Sequence, residues 1–271
     1  MRSIIRLSAA GESWEVPVLF EDSNILVVDK PSGLAASPCG PERRDPTLLG
    51  LLQAGIAEGK PWARERGMGF LMSPERVDPD ISGVFILAKD TLAFQKLADM
   101  VGSEKPYKDV ITVVRGRPEQ DQFTVESKIA PDPVRAERMR VDFKHGKRAR
   151  TLFTLVQPFT EWSLIKCQPL THRPHQIRVH LRSVGLTMAG DALYGGKPLL
   201  PSNLKSGYRL KPKQNERPLI GAPLHHVEAS RFTHPVTGEP MTITAQWPKD
   251  LTVAVKYLRR YEVPSLGGTT A

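Results

Sequence analysis

The chain has 271 residues, an apolar fraction of 40% and a formal charge of +9 at pH 7. That length can bury a real core, and the basic excess suits a polyanionic partner through counterion release. The two cysteines, Cys39 and Cys167, lack a CxxC partner and speak against zinc and against a disulfide scaffold. The N-terminus MRSIIRLSAAGESWE holds neither a signal-peptide core nor a membrane-length apolar run, so a soluble cytoplasmic protein is expected.

In chain order, Ile25 to Val28 reads as a first strand and Thr47 to Ala57 as a first helix. Glu75 to Asp90, ERVDPDISGVFILAKD, sets Asp78 in a polar turn that feeds the apolar strand Gly83 to Leu87. A carboxylate so placed suits nucleophilic or acid/base work, whereas the plainer reading is a turn cap. Asp78 and Asp80 as a magnesium site form a third reading, unsupported by any further acidic cluster. After a helix from Thr91 to Val101, Tyr107 opens the strand that includes Val110 to Val114. On its own a tyrosine there is a packing residue.

The stretch Pro131 to Arg150 carries Arg135, Arg138, Arg140, Lys144, Lys147, Arg148 and Arg150 and reads as a long basic surface loop. Strands follow at Thr151 to Val156 and Ser163 to Cys167. The helix His175 to Val184 crowds His175, Gln176, Arg178, His180 and Arg182 onto one short element, ahead of a glycine-rich turn at Gly190-Asp191. Arg178 suits a bidentate carboxylate pair, while His175 and His180, five apart, do not share a face in the way a metal pair needs. A second basic loop, Lys197 to Pro218, sets six cations against Glu216 alone. Both basic loops read either as solvated surface or as phosphate contacts. A hairpin spans Leu224 to Leu251, with His225 and His226 on opposite faces, and Asp250 to Tyr261 closes the chain as a helix. Strands outnumber helices without βαβ alternation, so the class is α+β with a mixed, mostly antiparallel sheet flanked by helices and loops.

Taken in order, Ile25 to Leu34 (ILVVDKPSGL), Arg76-Val77-Asp78 with Ser82-Gly83, His175-Gln176-Ile177-Arg178-Val179-His180 and Gly190-Asp191-x-x-Tyr194-Gly195 resemble the RluA-type family of RNA pseudouridine synthases. The resemblance runs from about Asp22 to Leu251. It implies that Asp78 is the catalytic aspartate, Tyr107 the tyrosine beside the target base and Arg178 the partner of the aspartate. It also implies that Arg76 fills the gap left by an extruded nucleotide. His175 and Gln176 of the polar helix, and Lys211 and Lys213 of the second basic loop, are expected to contact RNA. No metal or organic cofactor is implied, and the partner is structured ribosomal or transfer RNA.

The expected organisation is an N-terminal extension over 1–21 with no separate RNA-binding domain, a catalytic domain over 22–261 and a disordered tail over 262–271, in a monomer. The chain departs from the family pattern at Glu75, where histidine is usual, and at Val77 and Ile81. It departs again where Gly-Arg-Thr becomes His172-Arg173-Pro174, and at Ser37 before Pro38. The alternative function is a non-catalytic RNA-binding or RNA-folding protein on the same fold.

Overall fold

A computed structural model describes residues 3–37, 46–75, 77–210 and 215–262. The class is the expected one, mostly antiparallel strands with helices, divided into two compact units. The first unit takes the chain through Asp109 together with Leu170–Pro174 and Val227–Gln246. The second takes Val110–Pro169, His175–His226 and the chain from Trp247 onward.

In the first unit β1 (Ile4–Ala9), β2 (Glu12–Glu21), β3 (Ile25–Lys30) and β4 (Ile81–Ala88) form an antiparallel meander. Residues 4–21, set apart in sequence as an extension, are thus two strands of this sheet. Strand β4 is buried along almost its whole length, as an apolar run without alternation requires. Helix α1 (Leu48–Ala57) starts where Thr47 Oγ1 accepts the Gly50 N–H at 3.1 Å, and α3 (Thr91–Gly102) where Asp90 Oδ1 accepts the Ala93 N–H at 2.8 Å. The core gathers Ile5, Val16, Leu26, Val28, Leu52 and Phe85, with Val77 packed at its edge. Further along the chain β11 (His225–Thr233) pairs with β12 (Pro240–Thr244) as the expected hairpin.

In the second unit β5 (Lys108–Arg115, of which Val110 onward belongs here), β9 (Trp162–Pro169), β8 (Lys147–Pro158), β6 (Gln122–Pro131) and β7 (Met139–Val141) lie in that order, all antiparallel. One strand of this sheet, β7, and the start of β8 fall inside Pro131 to Arg150, read from sequence as a loop. That expectation is corrected by pairing. Ile129 of β6 faces both Val141 and Lys147, and Asp142 Oδ1 knits the intervening turn by accepting the N–H groups of Lys144 and His145 at 3.0 and 2.9 Å. Those N–H bonds, His145 first, together with Arg140, hold the Asp142 carboxyl well below the usual carboxylate range.

The other basic loop contains a short helix, Pro201–Leu204, to which Glu216 is tied by hydrogen bonds of 2.7 Å from the N–H and hydroxyl of Ser202. Lys211 and Lys213 lie outside the described residues, as does Arg76. Helix α4 (Gln176–Ser183) runs one residue shorter at each end than expected, and α6 (Lys249–Tyr261) buries Leu251, Ala254, Val255 and Leu258 in the core of the second unit. Among the described residues no helix is long and apolar enough to cross a membrane.

Candidate active site

The loop carrying Asp78 is fastened from below. Lys30, at the end of β3 and 1% exposed, directs its ammonium at three main-chain carbonyls: Pro31 and Pro79 at 3.0 Å and Ile81 at 2.6 Å. The Ser32 hydroxyl donates to the Asp80 carbonyl at 3.1 Å, and the Ile81 N–H closes the turn on the Asp78 carbonyl. Three N–H donors matched to three carbonyls from two segments tie the loop, just after Asp78, to the end of β3. Burial pulls the Lys30 ammonium down to about 7, with the Asp80 charge acting in the opposite direction.

Tyr107, immediately before β5, is 4% exposed and donates its hydroxyl to Glu75 Oε1 at 3.1 Å. The same carboxylate oxygen receives Lys108 Nζ at 2.7 Å, and Glu75 Oε2 accepts the Ile86 N–H of β4 at 3.3 Å. Burial, then the negative charge of Glu75, pushes the Tyr107 phenol well above its usual value, so it stays protonated. The His172 ring packs against the Tyr107 ring, centroids 5.3 Å apart. Burial, assisted by Lys108 and Arg173, pulls that imidazole down to about 3 and keeps it neutral. His172 and Arg173 also face a cavity of about 230 Å³ in this unit, together with Pro74 and Glu104.

In the second unit the polar residues of α4 turn inward. The Arg178 guanidinium grips Asp191 through Nε and Nη2 at 2.8 and 2.6 Å, with the two side chains 6% and 1% exposed. Its Cζ also lies 4.9 Å from the centroid of the Tyr194 ring. Tyr194 in turn accepts the Met139 N–H at 2.9 Å and meets His175 Nδ1 at 2.9 Å. The Gly190-Asp191 turn is glycine-bound for steric reasons, since Gly190 has φ +75° and a Cβ there would lie 2.5 Å from the Ala222 carbonyl oxygen. His175 itself holds a left-handed φ of +53° at the head of α4, an unusual conformation for a residue with a side chain. Gln176 is 5% exposed, and its amide donates to the Arg150 carbonyl and to Thr151 Oγ1 at 3.0 and 2.9 Å. His180, fully buried, meets Thr151 Oγ1 at 2.9 Å and is pulled down to about 4 by burial. Both side chains therefore anchor α4 to β8.

The first unit thus brings Tyr107 together with Glu75, Lys108 and His172 and fastens the Asp78 loop through Lys30, while the second fixes Arg178 through Asp191. Lys30, Lys108 and the pairing role of Asp191 escaped sequence reasoning, although Lys30 and Asp191 sit within the motifs that carry the family resemblance. Among the described residues no three His, Cys, Asp or Glu side chains gather as a metal site.

The RNA pseudouridylate synthase family matches residues 24–183, more than half of the chain and a span enclosing Asp78, Tyr107 and Arg178. The chain belongs to that family. Its relatives include the uncharacterized RNA pseudouridine synthase YlyB of Bacillus subtilis, 29% identical over 94% of this chain and 76% of its own length. The ribosomal large subunit pseudouridine synthase C of Salmonella typhi is 32% identical over 89% of this chain and 70% of its own. The mitochondrial tRNA pseudouridine(32) synthase of Saccharomyces cerevisiae is 32% identical over 72% of this chain and 40% of its own. Among solved structures, human RNA pseudouridylate synthase domain containing 4 superposes with a TM-score of 0.63 at 19% identity, over 89% of this chain and 92% of that one. At that identity the likeness is one of fold. Pseudouridine synthases are isomerases, and this chain is an enzyme of that class.

Proposed function

We propose that the chain isomerises particular uridines to pseudouridine in folded ribosomal or transfer RNA, with Asp78 as the central catalytic group. One observation carries this reading. The family match encloses Asp78, Tyr107 and Arg178 in their motif order, and a buried lysine fastens the loop directly after Asp78. The basic charge of +9 suits a phosphate-rich partner.

The reaction breaks the bond between ribose C1′ and uracil N1, rotates the base and joins C5 to C1′, with the C5 proton leaving at the end. A stacked base is out of reach, so the nucleotide swings out at a cost of a few kcal/mol, least in loops and bulges. Asp78 acts on the ribose, either as the nucleophile at C1′ or as the base that removes a ribose proton to give a glycal. Both routes need an ionised carboxylate. Arg178, braced by Asp191 and Tyr194, supplies the opposite charge that favours that form. Tyr107 holds the detached uracil as a neutral phenol, and Arg76 fills the gap in the RNA stack. His175, Lys211 and Lys213 contribute to RNA binding, while Gln176 supports the helix that bears Arg178. The chemistry calls for no metal or organic cofactor.

The test uses candidate ribosomal and transfer RNAs and a chemical-stop assay for pseudouridine. Asp78→Ala and Asp78→Asn should lower turnover by at least about 10²-fold while RNA affinity holds. Undiminished product from either variant would remove Asp78 from the mechanism.

A further inference from the structure

Three side chains, Glu75, Lys108 and His172, gather at Tyr107, and two of them, Glu75 and His172, stand where the chain leaves its family pattern. The segment before Asp78 explains how Glu75 gets there. Met72 exchanges both backbone hydrogen bonds with Ala88 at the end of β4, at 3.0 and 2.7 Å. The Ser73 hydroxyl donates to the Ile86 carbonyl at 2.8 Å and accepts the Glu75 N–H at 3.2 Å. Residues 72–75 are therefore laid along β4, and the Glu75 carboxylate, 3% exposed, is pinned to the same strand through the Ile86 N–H. Its other oxygen receives both the phenol hydroxyl and the Lys108 ammonium. At the opposite end of Tyr107 the backbone is also held, because its carbonyl accepts the Arg231 N–H at 2.7 Å.

We propose that Glu75 is a positioning residue for Tyr107. Its carboxylate, fixed on β4 and balanced by Lys108, anchors the phenol hydroxyl so that the ring is offered to the uracil base in one orientation, with His172 supporting its side. The inference rests on the function proposed above, in which Tyr107 lies against the detached base.

Electrostatics decide why the two charges come together. A carboxylate buried this deeply is tolerable only with a close counter-charge and full hydrogen bonding, and Lys108, 4% exposed, has the same requirement in reverse. A neutral imidazole at position 75, the usual family residue, would leave the Lys108 ammonium without this counter-charge. A glycine at position 172 would leave the flank of the Tyr107 ring unsupported. The phenol remains protonated beside the negative carboxylate, so its hydroxyl serves as a donor toward Glu75 and the group facing the base is the ring. Glu75 thus acts on the reaction only through Tyr107, and its removal should slow the chemical step more than it weakens RNA binding.

The experiment is a double-mutant cycle on pseudouridine formation by the full chain. Glu75→Leu and Lys108→Met are made together, so that no buried charge is stranded, and are compared with Tyr107→Phe and with the triple variant. Thermal melting verifies that each protein is folded. The pair is expected to lower kcat about tenfold to 10²-fold with KM within about twofold of the parent. Tyr107→Phe, which deletes only the anchored hydroxyl, should fall by a similar factor, and the triple variant should fall no further. Should the paired variant fail to fold, Glu75→Asp takes its place: it keeps a charge for Lys108, withdraws the carboxylate from the phenol and should produce the same kcat loss. Unchanged kcat, a change confined to KM, or losses that multiply in the triple variant would overturn the positioning role while leaving the proposed reaction intact. A parent protein that forms no pseudouridine in any RNA would overturn both.

Discussion

An ammonium whose three N–H bonds all point at main-chain carbonyls, as in the buried Lys30, makes the Asp78 loop sensitive to a single proton. The free amine keeps its proton to about 10.5, whereas burial brings the folded value to about 7. Between those values the unfolded chain binds the extra proton, so raising the pH favours the folded state. The melting temperature should therefore climb between pH 7 and pH 9 relative to that of Lys30→Met, in which this contribution is absent. Parallel melting curves for the two proteins across that range would refute the account. Asp191 supports a second prediction at this scale. Its replacement by alanine strands the buried Arg178 guanidinium and should cost about 3–5 kcal/mol, read from denaturant midpoints. Motif order singles out Asp78, Tyr107 and Arg178 as candidates, but in the sequence Glu75 stands only as a departure and Asp191 only as part of a turn. Their meaning lies in partners 32 and 13 residues away, and no local pattern encodes such distances.

Helix α4 shows how an element with too few apolar positions is held. Gln176 and His180 hydrogen-bond Thr151 of β8, and Arg178 binds Asp191, so polar contacts do what a fuller apolar stripe does elsewhere. The connection between β7 and β8 poses a different question, because Lys144 and Lys147 are exposed on, and directly after, a turn that Asp142 holds in shape. Alanine at both positions should weaken RNA binding and reduce the slope of log affinity against log salt by up to about 1.4 to 1.8. An unchanged slope, measured by filter binding across a salt series, would make this turn ordinary solvated surface. The strands legible in sequence were those with continuous apolar runs, such as Ile81–Ala88. Strand β6 was missed although Val125, Ser127 and Ile129 are buried on alternate positions between exposed Thr124, Glu126 and Lys128. Its period of two was present, but charged outer residues hid it among loop-like composition. Strand β7 was hidden for the same reason, as three residues inside a basic run.

For the whole molecule, composition and element order were enough to specify the α+β class, since neither depends on which residues touch. The division into two units was not legible. It gathers Leu170–Pro174 and Val227–Gln246 with the N-terminal part of the chain, and no change in composition marks those borders. The Glu75–Tyr107–Lys108 contact also bears on how such a chain varies through descent. A buried acid and a buried base that neutralise each other cannot be exchanged one at a time without passing through a protein that carries a stranded charge. Across related sequences, a glutamate aligned with Glu75 should therefore occur with a lysine directly after the tyrosine far more often than the separate frequencies of the two residues predict. Counting their joint occurrence checks it, and independent assortment would show that the pair arose here without constraint.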